Sequence, residues 1–487
     1  MKSADVERIH ETSLALLEHP GVRIEHDAIC ARLLKAGAKP GTDAQVIRFP
    51  RELVAESVDR APSEVRFADR RAMWHGRPRP RGAAGAQPGA AVPHEAKEPP
   101  GGYTIGGVHP TRVWSVPGLN LLRHAEHRPF TSADLADAAR LLDQLENVDA
   151  VFGLALDDVP PGARDVVGLR VLAQNTTKHI RVLSFTPEGA DALCEMKDVV
   201  ADDAWFSVGF TAHGPLRWTH LALEIFARTA GRGIPVTVNG EPTAGASGPV
   251  TLAGSAAVGN AEILAGIVLN QVLEPGRPCV YNLGLAHFLD MKTAIAVTGG
   301  PENHLLAQVS AAMGRFYDLP SCSWVSTESM CVDSQAALEK SIGFASHMRA
   351  GVSLIWSVGQ LESELTFSPA QAVIDDEIIA YCRRYERGVD VTDDTLAADL
   401  VREVGIGGSY LDSEHTLAHF REELWEPGIL FRNRREAWLK AGARGLAAVA
   451  ETKADELIDA ERPPCLTDDQ DKALRNIETD FVKRLPS

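Results

Sequence analysis

The sequence is short of several things, and each shortage closes off a class of chemistry. Its seven cysteines (30, 194, 279, 322, 331, 382 and 465) are odd in number and form no C-x-x-C pair. Reduced thiols in a cytoplasmic protein are the reading of that pattern. Positive charge is scarce: 49 lysines and arginines face 66 aspartates and glutamates, a formal net charge of −17. That balance argues against a nucleic-acid or anionic-membrane surface and would favour the approach of a cationic substrate. No stretch is expected to approach the ~18 apolar residues of a membrane span. The opening MKSADVERIHETSLALLEH places acidic residues where a signal peptide needs an apolar run.

Familiar catalytic signatures are missing as well. There is no G-x-S-x-G elbow. Gly405-Ile406-Gly407-Gly408 precedes no lysine and follows a helical stretch, so it fails the context of a phosphate loop. His415-x-x-x-His419-x-x-Glu422 puts three ligand types on one helical face, but Thr416 stands where H-E-x-x-H requires glutamate. No metal site is predicted.

What is present is a rhythm. The chain has 487 residues, 45% of them hydrophobic and 24% charged, a globular composition too long for one ordinary domain. A barrel of about 250 residues with additions fits that length. The organising stretch is 234–271: a short β-branched run, a Pro/Gly/Ala loop over 241–249, then a helix whose packing face is unusually small. This is one β/α unit of a parallel-sheet protein. Strand-like runs recur at 148–154, 180–185, 206–210, 235–238, 279–283, 321–325 and 353–357, with helical runs between them. They predict a TIM (β/α)8 barrel, with Leu365-Thr366-Phe367 as the candidate eighth strand. An N-terminal mainly helical module over 1–130 and a C-terminal helical extension over 391–487 flank the barrel, which takes 131–390. The Pro/Gly/Ala run at 77–102 is too poor in large apolar residues to fold alone and reads as an exposed loop.

Parallel barrels bind ligands at the C-terminal ends of their strands, which selects positions without any homology. Those ends carry Asp157, Asp158, His213, Glu241, Asn282 to His287, Ser326, Glu328, Gln360, Glu362 and Glu364. Phe210, Tyr281, Phe288, Trp324 and Trp356 cluster in the same places. Carboxylates among aromatic faces suit a quaternary ammonium ion, which has no hydrogen bond to donate. The candidate substrate pocket is Glu241, Tyr281, His287, Trp324, Glu328, Trp356 and Gln360. Strand-end position selects them, no catalytic residue is singled out, and the alternative for each aromatic is that it simply fills the barrel.

Several motifs in one order then carry a resemblance. They are Gly248-Pro249-Val250-Thr251-Leu252-Ala253-Gly254 with Asn260-Ala261-Glu262, and Asp290-Met291-Lys292-Thr293 with Gly299-Gly300-Pro301-Glu302. Asp333-Ser334-Gln335-Ala336 with Glu339-Lys340, Leu361-Glu362-Ser363, Ile374-Asp375-Asp376-Glu377 and His415-Thr416-Leu417 continue it. Together they resemble the trimethylamine methyltransferase family over nearly the whole chain. The resemblance implies a TIM barrel that passes a methyl group from a methylated amine to the cobalt of a corrinoid (cobalamin) carried by a separate partner protein. It implies no tightly bound cofactor and a homo-oligomer. The family's trimethylamine enzymes use pyrrolysine, which this sequence lacks, so the chain is similar to the branch that includes glycine betaine:corrinoid methyltransferases. Two departures lie near the expected mouth: Glu362-Ser363-Glu364 where the family has Glu-Ser-Gly, and Gly408-Ser409-Tyr410-Leu411 where it has Gly-His-Phe-Leu. A quaternary amine already carries its charge and leaves as a neutral tertiary amine, so the protein has to hold, dry and orient it. A non-catalytic betaine-binding protein and a metal-dependent barrel hydrolase are the alternatives.

Overall fold

Eight short runs of alternating inward and outward residues close on themselves. The computed structural model describes residues 1–71, 101–116, 118–153, 156–284 and 287–485. Its strands are β1 (Arg112–Ser115), β2 (Ala150–Phe152), β3 (His179–Arg181), β4 (Phe206–Thr211), β5 (Val236–Asn239), β6 (Cys279–Gly284), β7 (Ser321–Trp324) and β8 (Leu354–Val358). All pair in parallel in chain order, and β8 meets β1 to complete a TIM barrel with helices around it.

The barrel corrects the expectation for its eighth strand. That strand is β1, upstream of residue 131, and not Leu365-Thr366-Phe367. Thr366–Phe367 instead pairs antiparallel with Gln360–Leu361 and parallel with Asn120–Arg123. The reason is chain length: only Glu362 to Leu365 separate the two short strands, enough for a hairpin but far short of a parallel crossover. β1 escaped notice because four residues with no β/α unit before them give little periodicity.

The N-terminal helices Ser3–Glu18, Asp27–Lys35 and Arg51–Arg60 form as expected. Ser3–Glu18 docks on the long helix Leu252–Leu273 through a buried polar relay. The Ser13 hydroxyl donates to the Ala257 carbonyl at 2.8 Å and accepts from Asn260 Nδ2 at 2.9 Å. Strands Val65–Ala68 and Gly102–Ile105 pair antiparallel and close the N-terminal end of the barrel. There Phe67 and Tyr103 pack with Trp114 and His179, and Trp114 Nε1 donates to the Tyr103 hydroxyl at 2.6 Å. The predicted loop at 77–102 lies outside the described residues except for Gly101 and Gly102.

Leu252–Leu273 also corrects the reading that no stretch resembles a membrane span. Among the described residues it is the one helix long and apolar enough for that, yet 83% of its most apolar window is buried within the fold. Its small face works as anticipated: a Cβ at Gly266 would strike Val238 of β5 and Trp218. After Pro369–Arg387 the chain changes character, and between Cys382 and Ala450 no residue is buried. A helix not anticipated, Leu446–Asp459, returns onto Pro369–Arg387, and Asp468–Val482 onto Pro187–Val200.

Candidate active site at the barrel mouth

Loops after β5, β7 and β8 bring carboxyl groups together over the C-terminal end of the barrel. Glu241 follows β5, and burial pushes its carboxyl up to about 7. Glu262, on the long helix, faces it and is likewise pushed up to about 7 by burial; its Oε1 accepts from the Leu216 N–H at 2.9 Å. Glu364 belongs to the hairpin after β8, and burial followed by the charges of Glu241 and Glu328 raises it to about 8. Glu328 is the carboxyl best supplied with donors. Its Oε1 accepts from the backbone of Thr298 at 2.7 Å and of Gly299 at 2.9 Å, and Oε2 accepts from the Ser363 hydroxyl.

Glu364 stands at one of the two departures from the family pattern, and its backbone shows what that departure entails. Glu362, Ser363 and Glu364 have φ of 55°, 49° and 85°, three left-handed residues in succession, none of them glycine. Such conformations are disfavoured for side-chain-bearing residues and persist where the surroundings fix them. Here the Glu362 and Ser363 N–H groups donate to Ser329 and Thr327, which ties the hairpin to the loop after β7. His287 meets Glu364 at 3.4 Å through Nε2. Burial lowers the His287 imidazole to about 4 and Glu364 is raised, so both are neutral near pH 7 and the contact is not an ion pair. Asn303 Nδ2 approaches His287 Nδ1 at 3.3 Å.

The predicted aromatic residues divide by strand alternation. Trp324, last in β7, is partly exposed, and its Nε1 donates to Gln360 Oε1 at 2.6 Å. Trp356 lies one layer deeper, 2% exposed, edge-on to Trp324 at 5.9 Å and stacked on Trp114 at 6.2 Å. It fills the barrel beneath the mouth. Tyr281 must be taken out of the pocket: it points outward, its hydroxyl donating to Asn260 Oδ1 of the long helix at 2.9 Å. Its neighbour Asn282 is the inward residue of β6, joined to Asn239 at 2.9 Å, which in turn donates to Thr211 at 3.0 Å. Of the seven predicted residues, the structure therefore places Glu241, His287, Trp324, Glu328 and Gln360 around one mouth.

Sequence reasoning missed Arg181 and the Asn239–Asn282 ladder among the inward residues. Arg181 is buried, with its guanidinium carbon 5.0 Å from the Phe152 ring centroid and 5.7 Å from that of Trp356. An arginine between Ile180 and Val182 in a strand-like run was the available signal. A cavity of about 280 Å³ opens at the end of β4, lined by Ser184, Gly209, Thr211, His213 and Glu241 and by Leu221, Ala222 and Ile225 of the helix that follows.

Several motif residues turn out to hold the mouth in place. Lys340 and Asp375 form a fully buried ion pair at 2.7 Å; Lys340 Nζ also donates to the Ser357 carbonyl, and the Gly359 N–H donates to Asp375. Glu339 accepts from Thr327 Oγ1 at 2.5 Å and from the Glu328 N–H at 2.8 Å. His419, from the candidate metal spacing, pairs with Asp394 at 3.2 Å, far along the chain from the mouth residues. Among the described residues no three of His, Cys, Asp and Glu converge as metal ligands.

Comparison with known proteins agrees with this architecture. Residues 1–73 and 93–485 match the family model described as trimethylamine methyltransferase (MTTB). The trimethylamine methyltransferase of Desulfitobacterium hafniense (strain DSM 10664 / DCB-2) is 29% identical, over 96% of this chain and 91% of its own. The glycine betaine methyltransferase of D. hafniense (strain Y51) is 26% identical, over 89% of this chain and 87% of its own. Among solved structures, the Methanosarcina barkeri monomethylamine methyltransferase superposes with a TM-score of 0.51 at 11% identity, covering 98% of this chain and 86% of that one. The last likeness bears on the fold alone.

Proposed function

The chain belongs to the trimethylamine methyltransferase (MTTB) family, and from that premise we propose that it demethylates a quaternary amine of the betaine kind. The methyl group would go to a Co(I) corrinoid carried by a partner protein. The observation that carries this reading is the set of carboxyl groups over the barrel, Glu241, Glu328 and Glu364, on the loops that also fix Trp324 through Gln360. A quaternary ammonium ion offers no hydrogen bond, so charge and aromatic faces are what can hold it. Burial raises two of these carboxyls, Glu241 to about 7 and Glu364 to about 8, and an entering cation would favour their ionised forms.

The corrinoid supplies the nucleophile when its carrier is docked. Residues of this chain do the rest: they bind the cation, exclude water and turn one methyl group outward. No proton has to be delivered, because the departing tertiary amine is neutral. The sequence contains no pyrrolysine, in keeping with a substrate that needs no further activation. The rim suits a docked carrier, since Val250, Met291, Met330 and Leu365, on loops following β5, β6, β7 and β8, are all exposed apolar residues.

The test supplies Co(I) cobalamin or a reduced corrinoid protein and follows methylcobalamin by its absorbance. Glycine betaine or a related quaternary amine is expected to be demethylated while trimethylamine is left intact. Turnover of trimethylamine at a comparable rate would overturn the reading.

A further inference from the structure

The barrel interior holds an arginine that no acid neutralises. Arg181 is 3% exposed, and among the described residues no carboxylate pairs with it. Its Nη1 donates to the adjacent Val182 carbonyl, and its Nε has no acceptor. The ionisable group that bears on it is the Cys322 thiol, which burial keeps protonated. Burial lowers the guanidinium to about 9. An uncompensated buried charge is costly, so an arginine held inside the barrel with no acid beside it points to a counter-charge that arrives from outside.

Neighbouring groups are unpaired in the same sense. Trp356 packs against Arg181, and its Nε1 has no acceptor. Trp356 meets Trp324, Trp324 donates to Gln360 Oε1, and the Gln360 Nε2 is left unpaired although buried. The hydroxyls of Ser184 and Thr237 are also without partners. A Cβ at Gly209 would strike both Arg181 Nη2 and Thr237 Oγ1, so the missing side chain is what leaves room for these two groups inside the barrel. Three obligate donors and two hydroxyls without acceptors match a ligand group that only accepts, and a carboxylate is such a group.

We propose that Arg181, with Trp356 Nε1 and Gln360 Nε2, binds the carboxylate of a zwitterionic substrate inside the barrel. The proposal deepens the quaternary-amine reading above and rests on it for the other end of the molecule. Charge runs in one order along the barrel, a cation inside and carboxyl groups at the mouth. A zwitterion aligned with that order places its carboxylate inward and its quaternary ammonium outward, which presents a methyl group to the open face.

Three ligands of nearly one shape separate the two ends: glycine betaine, choline (cation without carboxylate) and 3,3-dimethylbutanoate (carboxylate without cation). Calorimetric titration compares the full-length protein with Arg181→Met and Arg181→Lys. Arg181→Met is expected to weaken both carboxylates by about 100-fold and choline by less than about twofold. Arg181→Lys is expected to fall between, and is read in the same way should the methionine variant fail to fold. If 3,3-dimethylbutanoate binds in an Arg181-dependent manner while no quaternary amine binds, the carboxylate subsite stands and the quaternary-amine reading falls. Carboxylate affinity unchanged in folded Arg181→Met, or a wild-type protein that binds choline but neither carboxylate, or nothing at all, overturns the proposal.

Discussion

The barrel wall and the stretch between Cys382 and Ala450 are built by opposite rules. The wall buries polar groups: the Lys340–Asp375 pair is fully enclosed, and Asn239, Asn282 and Arg181 lie inside the barrel. The later stretch buries nothing, though it contains Val391, Ile406, Leu411, Leu417 and Leu424, all exposed. Its helices are held by local devices, a capping box at Thr392 and the Ser413 cap, and by polar tethers such as the Gly428 N–H on Glu377 at 3.0 Å. Long-range contacts over-determine the wall, which is why it can keep unsatisfied groups in fixed positions. The later stretch has no such frame within one chain, and its composition bears little on where the mouth residues sit.

The comparison breaks most visibly at Lys340. Lys340→Met leaves Asp375 buried without its counter-charge and releases the Ser357 carbonyl of β8, the strand that leads to Gln360. A loss of about 3–5 kcal/mol is expected in denaturant unfolding. Replacing both members, Lys340→Met with Asp375→Leu, should recover much of that loss. A single variant as stable as the wild type would mean that the wall does not depend on its buried charge.

A smaller effect is expected at Glu364, and pH gives it a sign. Its carboxyl is raised to about 8 in the folded protein from an ordinary 4.5, with burial as the first cause. The folded chain therefore keeps a proton that the unfolded chain releases. Stability from this group is whole below about pH 4.5 and is lost progressively up to about pH 8. Glu364→Gln keeps the neutral form, so its advantage over wild type should be under about 1 kcal/mol at pH 5 and should grow by about 3 kcal/mol by pH 8. Thermal unfolding at the two pH values measures it. An equal difference at both would show that Glu364 ionises freely in the folded state.

How much of this was legible in the sequence follows from the same contrast. Seven of the eight strands announced themselves because a β-branched run followed by a helix repeats. β1 did not, since Arg112–Ser115 is too short to show a period and its partners lie far along the chain. Strand ends located the mouth, yet they do not say which way a side chain faces. Tyr281 and Asn282 are adjacent, and a slip of one residue exchanges the helix side for the barrel interior. Trp356 and Trp324 are register partners that face the same way, yet one is enclosed within the barrel and the other borders the mouth. Glu364 was visible as a strand end and as a departure from a pattern, and Arg181 only as an arginine within a strand-like run, because its meaning lies in the acid that is missing around it.

The smallest effect belongs to the stretch after Cys382. Leu411 is 85% exposed and lies between Tyr410 and Asp412 in a turn before the Glu414–Glu423 helix. Leu411→Asp removes no packed neighbour within the chain and creates no cavity. It adds one charge to a stretch already rich in them. Surface substitutions of this sort usually shift stability by less than about 0.5 kcal/mol. The same limit should hold for Leu417→Asp, also exposed, on the solvent side of that helix. Differential scanning calorimetry across a range of protein concentrations is the appropriate measurement, because the contrast is between regions of a single chain. A loss of several kcal/mol that grows with concentration would break it, since the leucine would then be buried in a contact that one chain alone does not make. A small, concentration-independent shift would sharpen it: the wall would carry the stability, and the exposed leucines would be free of it.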